Sequence, residues 1–319
     1  MARQKVFMYS GQGSQYFHMT RELYDHNPRY RLWLDYCAEI ASDLLGKSLL
    51  DVVFDPRRSR SDPFDSLVDS NAALVCVEYS LTKLVQEMGH QPDLLLGYSL
   101  GEITAAIVAE AVGLEDGLAL SIDLGRLVER ETPRAGMLAV VASTDFARDR
   151  AELFAGCWVT GVNFDGNFVI SGRESEIDAV QLALERETVP CQRLPVNYGV
   201  HTELIDPVRD KAFRLFEDVA FNLPGIPVVS SVSTDRVDEL SAEGLWSAVR
   251  EPVEFARAAG KVLAAGDATF LDIGPSATLA TFVKYLLASG SGSDQVGTVN
   301  RFGNDLKSLR EFQAHMAGS

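Results

Sequence analysis

The chain has 319 residues, a formal net charge of −16 and 46% hydrophobic residues. That length fits two domains, or one large domain with a subdomain, and is ample for a core without staples. The acidic balance excludes a nucleic-acid binder and gives no pull toward anionic membranes, since both need clustered Lys and Arg.

Val6 to Tyr9 is a short apolar run stopped by glycines and reads as a first buried strand. Arg21 to Leu45 reads as helical. Arg57 to Asp65 is charged and reads as a surface loop. Asn71 to Met88 has strong helical periodicity, with Asn71 as its N-cap. Leu94-Leu95-Leu96 is a strand, Gly97-Tyr98-Ser99-Leu100-Gly101 a tight turn, and Glu102 to Ala111 a helix. Leu114 to Glu129 is another.

The pattern then changes. Gly136 to Ser143 reads as a strand, Asp145 to Phe154 as a helix, and Trp158 to Asn163 and Asn167 to Ser171 as strands. Glu174 to Arg186 is a helix and Cys191 to Val196 a strand. This β-α-β-β-α-β order is the ferredoxin-like unit. After it, Pro207 to Val219 reads as helix, Val228 to Ser231 as strand, Leu245 to Val249 and Val253 to Ala265 as helices. Thr269 to Ile273 is a strand, Leu279 to Leu287 a helix and Val296 to Val299 a last strand. Strands alternating with helices imply a mainly parallel α/β sheet. The expected division is a large domain from 1–133 and 200–319, with 134–199 as an inserted subdomain.

Cys37, Cys76, Cys157 and Cys191 form no C-x-x-C pair and no Cys/His cluster, so no metal site is expected. Their scatter reads as reduced thiols in a cytoplasmic protein. The N-terminus leaves no room for a signal peptide, and no run of ~18 apolar residues exists to span a membrane.

Gly97-Tyr98-Ser99-Leu100-Gly101 fits the G-x-S-x-G nucleophile elbow in its required strand–turn–helix setting. Ser99 Oγ would sit near the positive end of a helix, and the Leu100 N–H could donate to an oxyanion. The bland alternative is a glycine-rich turn with a capping serine. A serine nucleophile needs a base. Of the five histidines, His26, His90 and His315 lie in polar or terminal segments. His18 follows the Gly11–Gln15 loop. His201 follows a predicted strand, in a glycine-containing loop, and is the preferred base.

Further runs occur in order: Ser10-Gly11-Gln12-Gly13-Ser14-Gln15, the elbow with Glu102, Val162-Asn163-Phe164, His201-Thr202, Phe221-Asn222-Leu223-Pro224, Glu251-Pro252-Val253 and Asp272-Ile273-Gly274-Pro275. Together they closely resemble the malonyl-CoA:acyl carrier protein transacylases and the acyltransferases of polyketide synthases, over about residues 5 to 300. The resemblance implies an α/β-hydrolase-like domain with a ferredoxin-like insert. It implies Ser99 as acyl acceptor and His201 as base, with a backbone carbonyl from the segment before Glu251-Pro252-Val253 orienting the imidazole. It implies Gln12 and Leu100 as oxyanion donors and Asn163 as a supporting neighbour. No cofactor would be bound. The phosphopantetheine of an acyl carrier protein would present the substrate.

Three departures matter. Malonyl enzymes of the family carry an arginine that pairs with the free carboxylate; ungapped alignment from the elbow puts Leu124 there. Arg126 lies about 200° around the helix and reads as a solvated surface residue. Tyr198-Gly199-Val200-His201 lacks a bulky aromatic just before the histidine; Gly199 and Val200 would leave a roomier pocket, with Tyr198 and Val200 among its lining residues. Tyr98 stands where most members have histidine. The expected acyl group therefore has no terminal carboxylate.

The resemblance favours a stand-alone hydrolase that clears acyl groups from carrier proteins in polyketide biosynthesis. The alternative is a transacylase moving an unusual acyl or aminoacyl group between carriers. A non-catalytic carrier-binding homologue and a general esterase are more distant. Carrier proteins are acidic, so docking would need local cations, with Lys284, Arg301 and Arg148 as candidates.

Overall fold

Unbroken apolar runs become the middle of a parallel sheet, where both faces are covered. In the computed structural model, which describes residues 3–318, ten strands form two sheets. The strands are β1 (Gln4–Tyr9), β2 (Leu94–Gly97), β3 (Gly136–Val140), β4 (Cys157–Phe164), β5 (Asn167–Gly172), β6 (Cys191–Arg193), β7 (Val228–Ser230), β8 (Arg236–Val237), β9 (Ala268–Asp272) and β10 (Asp294–Gly297). The larger sheet has the order β10-β9-β1-β2-β7-β8 and is parallel except at β7–β8.

Side chains of β1 alternate between two cores. Phe7 and Tyr9 enter the larger one with helices Leu67–Glu87 and Leu114–Glu131; Val6 and Met8 enter the other with helices Phe255–Ala265 and Thr278–Leu286. This is the period-two geometry of a strand covered on both faces.

The second sheet is antiparallel, in the order β4-β5-β3-β6. Helix Glu174–Arg186 covers one face through Ile177, Val180 and Leu184. This is the ferredoxin-like connectivity expected of the insert. Its two ends lie side by side, with Ala135 N donating to the Asn197 carbonyl at 3.1 Å. The edge strand β4 also binds the large domain: Val162 N donates to the Val253 carbonyl (2.8 Å) and Val253 N to the Thr160 carbonyl (3.0 Å).

Several boundaries differ from expectation for identifiable reasons. Asn71 is not an N-cap. The helix begins at Leu67, and Ser66 caps it by accepting from Asp69 N. Asn71 is one turn inside and buried, donating to the Ser121 carbonyl at 2.8 Å. The 21–45 stretch breaks at Asn27-Pro28, because Asn27 caps a new helix, Pro28–Leu45. Pro207 sits in a 3₁₀ turn, Glu203–Val208, ahead of helix Arg209–Glu217. The strand expected over 191–196 stops at Arg193. Helices Leu49–Val53 and Asp305–Gly318 and the short strand β8 have too little periodicity to announce themselves. No helix among the described residues is long and apolar enough to cross a membrane.

Replacing Ser66 with Ala is expected to destabilise the protein by about 1 kcal/mol in urea unfolding, the usual effect of losing a cap. An unchanged midpoint would show that Ser66 does not cap this helix.

Candidate active site

The turn from β2 into helix Gly101–Val108 holds Ser99 at φ 56°, a conformation L residues rarely adopt. A Cβ at Gly101 would overlap the Tyr9 carbonyl oxygen, so only glycine lets this helix sit against β1. The close packing over-determines the strained serine.

His201 meets it from the far side of the chain. Its Nε2 lies 2.7 Å from Ser99 Oγ and its Nδ1 2.7 Å from the Glu251 carbonyl oxygen. A carbonyl only accepts, so Nδ1 carries the proton and Nε2 is left to accept from the serine hydroxyl. The orienting carbonyl is thus that of Glu251 itself rather than of a residue before it. Glu251 follows helix Ala242–Arg250 in extended conformation, ψ 153°. Pro252 disfavours helix at the residue preceding it, which turns that carbonyl outward. The same helix end receives the His201 backbone, whose N–H donates to the Val249 carbonyl at 2.8 Å. Thr202 tightens the turn by donating to the Gly199 carbonyl (2.6 Å) and accepting from Leu204 N (3.1 Å).

Burial pushes the His201 ring down to about 4, and its bond to the Glu251 carbonyl only partly opposes this. The imidazole is therefore neutral, and able to take a proton, throughout the neutral range. Glu102, directly after the elbow, is also buried. Its Oε1 accepts from Ser230 Oγ (2.9 Å), Ser231 N (2.9 Å) and Ser231 Oγ (3.1 Å). Burial raises it to about 7 against those bonds. The Ser231 carbonyl in turn receives Glu254 N at 2.7 Å, so the elbow helix is tied to the segment that orients His201.

Ser99 faces a cavity of about 40 Å³. Its wall includes Leu100, Leu124, Val128, Val200 and Trp246, with Gln12 and Asn71 as polar members and no Lys or Arg. Gln12 Nε2 donates to Ser70 Oγ at 2.9 Å and to Asn71 Oδ1. A second cavity, of about 200 Å³, lies between the Ser10–Ser14 loop and the small sheet. Tyr98 and Asn163 line it, with Phe282 and Arg301. The Tyr98 hydroxyl donates to Asn163 Oδ1 (3.0 Å), and Asn163 Nδ2 to Asn167 Oδ1 (2.7 Å). Burial raises the Tyr98 pKa, so it stays a donor. Tyr98 thereby acquires a role its sequence position did not suggest, joining the elbow to the insert.

Ser99, Gln12, Leu100, Leu124 and Val200 thus converge on one cavity, with His201 bonded to Ser99, and Tyr98 and Asn163 line its neighbour. Tyr198 does not join them. It is buried at the base of the insert, where the Arg134 guanidinium stacks 4.8 Å from its ring, because the Arg134–Tyr198 bridge turns it away from the pocket. Arg126 is half-buried rather than solvated, donating to Asp123 (2.8 Å) and to the Leu44 carbonyl (2.7 Å). His18 donates to the Arg58 carbonyl (2.8 Å), and His90 packs edge-on against Phe312 rather than lying free at the surface. Arg148 is exposed and lies 3.0 Å from Asp145 in a surface ion pair. Lys284 and Arg301 are exposed. Trp246, Val249 and Ile205 also line the Ser99 cavity. The sequence does not single them out, because nothing local distinguishes a core face from a pocket wall. Among the described residues, no group of three His, Cys, Asp or Glu could hold a metal ion.

An elbow serine with a histidine partner, on a mostly parallel sheet with an antiparallel insert, defines a serine acyl-transferring enzyme. Residues 6–319 match the family model described as an acyl transferase domain, and the chain belongs to that family. It is 35% identical over 308 residues to the polyketide biosynthesis acyltransferase homolog PksD of Bacillus subtilis, covering 97% of this chain and 95% of that one. It is 32% identical over the same length and coverage to BaeD of Bacillus velezensis, which carries the same description. Among solved structures it is similar to a loading acyltransferase of the avermectin modular polyketide synthase. That match has a TM-score of 0.89 and 25% identity, over 98% of this chain and 99% of that one. It is also similar to the MCAT of Streptococcus pneumoniae, with a TM-score of 0.77 and 26% identity over 97% and 100%.

Labelling of Ser99 by a fluorophosphonate is expected to hold steady as pH falls from neutrality and to drop only as His201 protonates, near pH 4. A limb near 6.5, the ordinary histidine value, would show a ring open to water.

Proposed function

We propose that this chain takes acyl groups without a terminal carboxylate from acyl carrier protein thioesters onto Ser99, and that water then releases them. The likeness to stand-alone PksD and BaeD supports a place in polyketide biosynthesis. In the first half-reaction Ser99 Oγ attacks the thioester carbonyl while Nε2 of His201 takes its proton. The backbone N–H groups of Gln12 and Leu100 stabilise the oxyanion. Collapse expels the thiolate, which recovers the proton from His201. In the second half-reaction water repeats the sequence and frees the acid. The second cavity, with polar groups from Gln12, Asn163 and Asn167, is the route by which a phosphopantetheine arm and water would arrive.

The observation that carries the substrate choice is Leu124. It stands in the wall of the Ser99 cavity, where no cation faces inward. A malonyl carboxylate there would be desolvated without a partner, at a cost of several kcal/mol. That amounts to at least ~100-fold against malonyl, at ~1.4 kcal/mol per decade.

Intact-mass measurement after incubation with malonyl, acetyl and longer acyl thioesters tests this reading. Acetyl or longer groups are expected on Ser99, and Leu124→Arg is expected to move the preference toward malonyl by tenfold or more. Malonyl as the best donor of the unmodified protein would overturn it. Release in heavy-oxygen water separates the second step. Label in the freed acid supports hydrolysis; dependence on a second carrier supports transfer between carriers.

Arg301, at the edge of the second cavity, and Lys284 are the cations best placed to meet an acidic carrier. Lys284→Glu is expected to raise KM for a carrier-bound substrate severalfold and leave that for a pantetheine thioester unchanged. Equal effects on both would refute electrostatic docking.

A further inference from the structure

Helix Leu67–Glu87 carries Glu78 fully buried among mostly apolar neighbours, the one acidic residue on its buried face. Such a group persists only with partners. One carboxyl oxygen accepts from both Ser10 N (2.6 Å) and Ser10 Oγ (2.7 Å). The other accepts from Thr104 Oγ1 (3.0 Å), in the helix that follows the elbow. Ser10 is the residue at which β1 gives way to Gly11-Gln12. The loop is pressed against the nucleophile there: a Cβ on Gly11 would lie 2.7 Å from the Tyr98 carbonyl and 2.9 Å from Ser99 Cβ. The same helix holds the Gln12 side chain through Ser70.

We propose that Glu78 is a positioning residue for oxyanion stabilisation, clamping the backbone before Gly11-Gln12 to the elbow helix so that the Gln12 N–H stays aimed at Ser99. This role presupposes the acylation of Ser99 proposed above. Glu78 touches no substrate and acts only through Ser10 and Thr104. A hydrogen bond from one fixed group to both the loop and the elbow removes their freedom to slide past each other. A displacement well under 1 Å suffices to weaken a preorganised donor. Burial raises Glu78 to about 8, with its bonds to Ser10 and Thr104 opposing the rise. In the neutral form Oε1 still accepts from Ser10 N and Ser10 Oγ, and the protonated Oε2 donates to Thr104 Oγ1, whose hydroxyl rotates to accept. Glutamine therefore reproduces the clamp, and alanine does not.

The test compares Glu78→Ala, Glu78→Gln and Thr104→Val with the unmodified protein. Three quantities are read: kcat and KM for an acyl thioester, affinity for a thioether analogue that cannot react, and affinity for a boronic acid that forms a tetrahedral adduct on Ser99. Glu78→Ala is expected to lower kcat/KM and boronate affinity together, about tenfold to hundredfold, with KM and thioether affinity within threefold. Glu78→Gln is expected to stay within threefold throughout. Thr104→Val, which frees only the elbow end, is expected to lower kcat and boronate affinity threefold to tenfold, and it decides the matter if Glu78→Ala does not fold. Loss of stability with boronate affinity unchanged in Glu78→Ala and Thr104→Val overturns the proposal, as does an equal loss of thioether binding. If the unmodified protein never acylates Ser99, the functional reading fails instead, and that result is visible before any variant is made.

Discussion

The bond from His201 Nδ1 to the Glu251 carbonyl sets the chemistry of the site, because it decides which ring nitrogen faces the serine. A carboxylate in that place would hold the ring and also favour its charged form. A carbonyl holds the ring with much less charge stabilisation. The buried imidazole is accordingly a weak base in equilibrium terms, yet it is always unprotonated when a substrate arrives. The arrangement needs a carbonyl free of helical partners. The end of helix Ala242–Arg250, followed by Pro252, supplies one.

Around that dyad the charges are arranged against the bulk of the molecule. The chain carries −16 overall, but the wall facing Ser99 is neutral and mostly apolar. Net charge therefore speaks to partners and solubility, and the acyl pocket answers to individual side chains. Glu78 and Glu102 are acidic residues drawn into the core. Each spends its oxygens on backbone and hydroxyl donors that anchor segments beside the nucleophile, one at the Ser10 loop and one at Ser231.

Much of the architecture was legible in the residues. The parallel sheet follows from apolar runs at Val6–Tyr9, Leu94–Leu96 and Thr269–Ile273, and the insert from its alternation of strand and helix. The elbow was readable because G-x-S-x-G has a mechanical reason to sit between a strand and a helix. His201 needed elimination and resemblance, since 102 positions separate it from Ser99 and no local pattern links them. The misplaced cap at Asn71 shows the limit of propensity. Asn suits a helix start, but its amide here was worth more inside, bonded to the Ser121 carbonyl. Glu78 was missed although a signal existed: a lone acid among consecutive apolar residues of a helix is a buried group in search of donors. Tyr198 illustrates the converse error, since nearness to His201 in sequence did not place it in the pocket.

Strand β4 binds Val253 through two backbone hydrogen bonds, two residues beyond the carbonyl that orients His201. With the Tyr98–Asn163 bond, this gives strand β4 three polar anchors on the large domain. Each is worth about 1 kcal/mol net, and swinging the sheets apart would break them and disturb the histidine at once. Movement of the small sheet is thereby coupled, through Val253, to the carbonyl that positions the histidine.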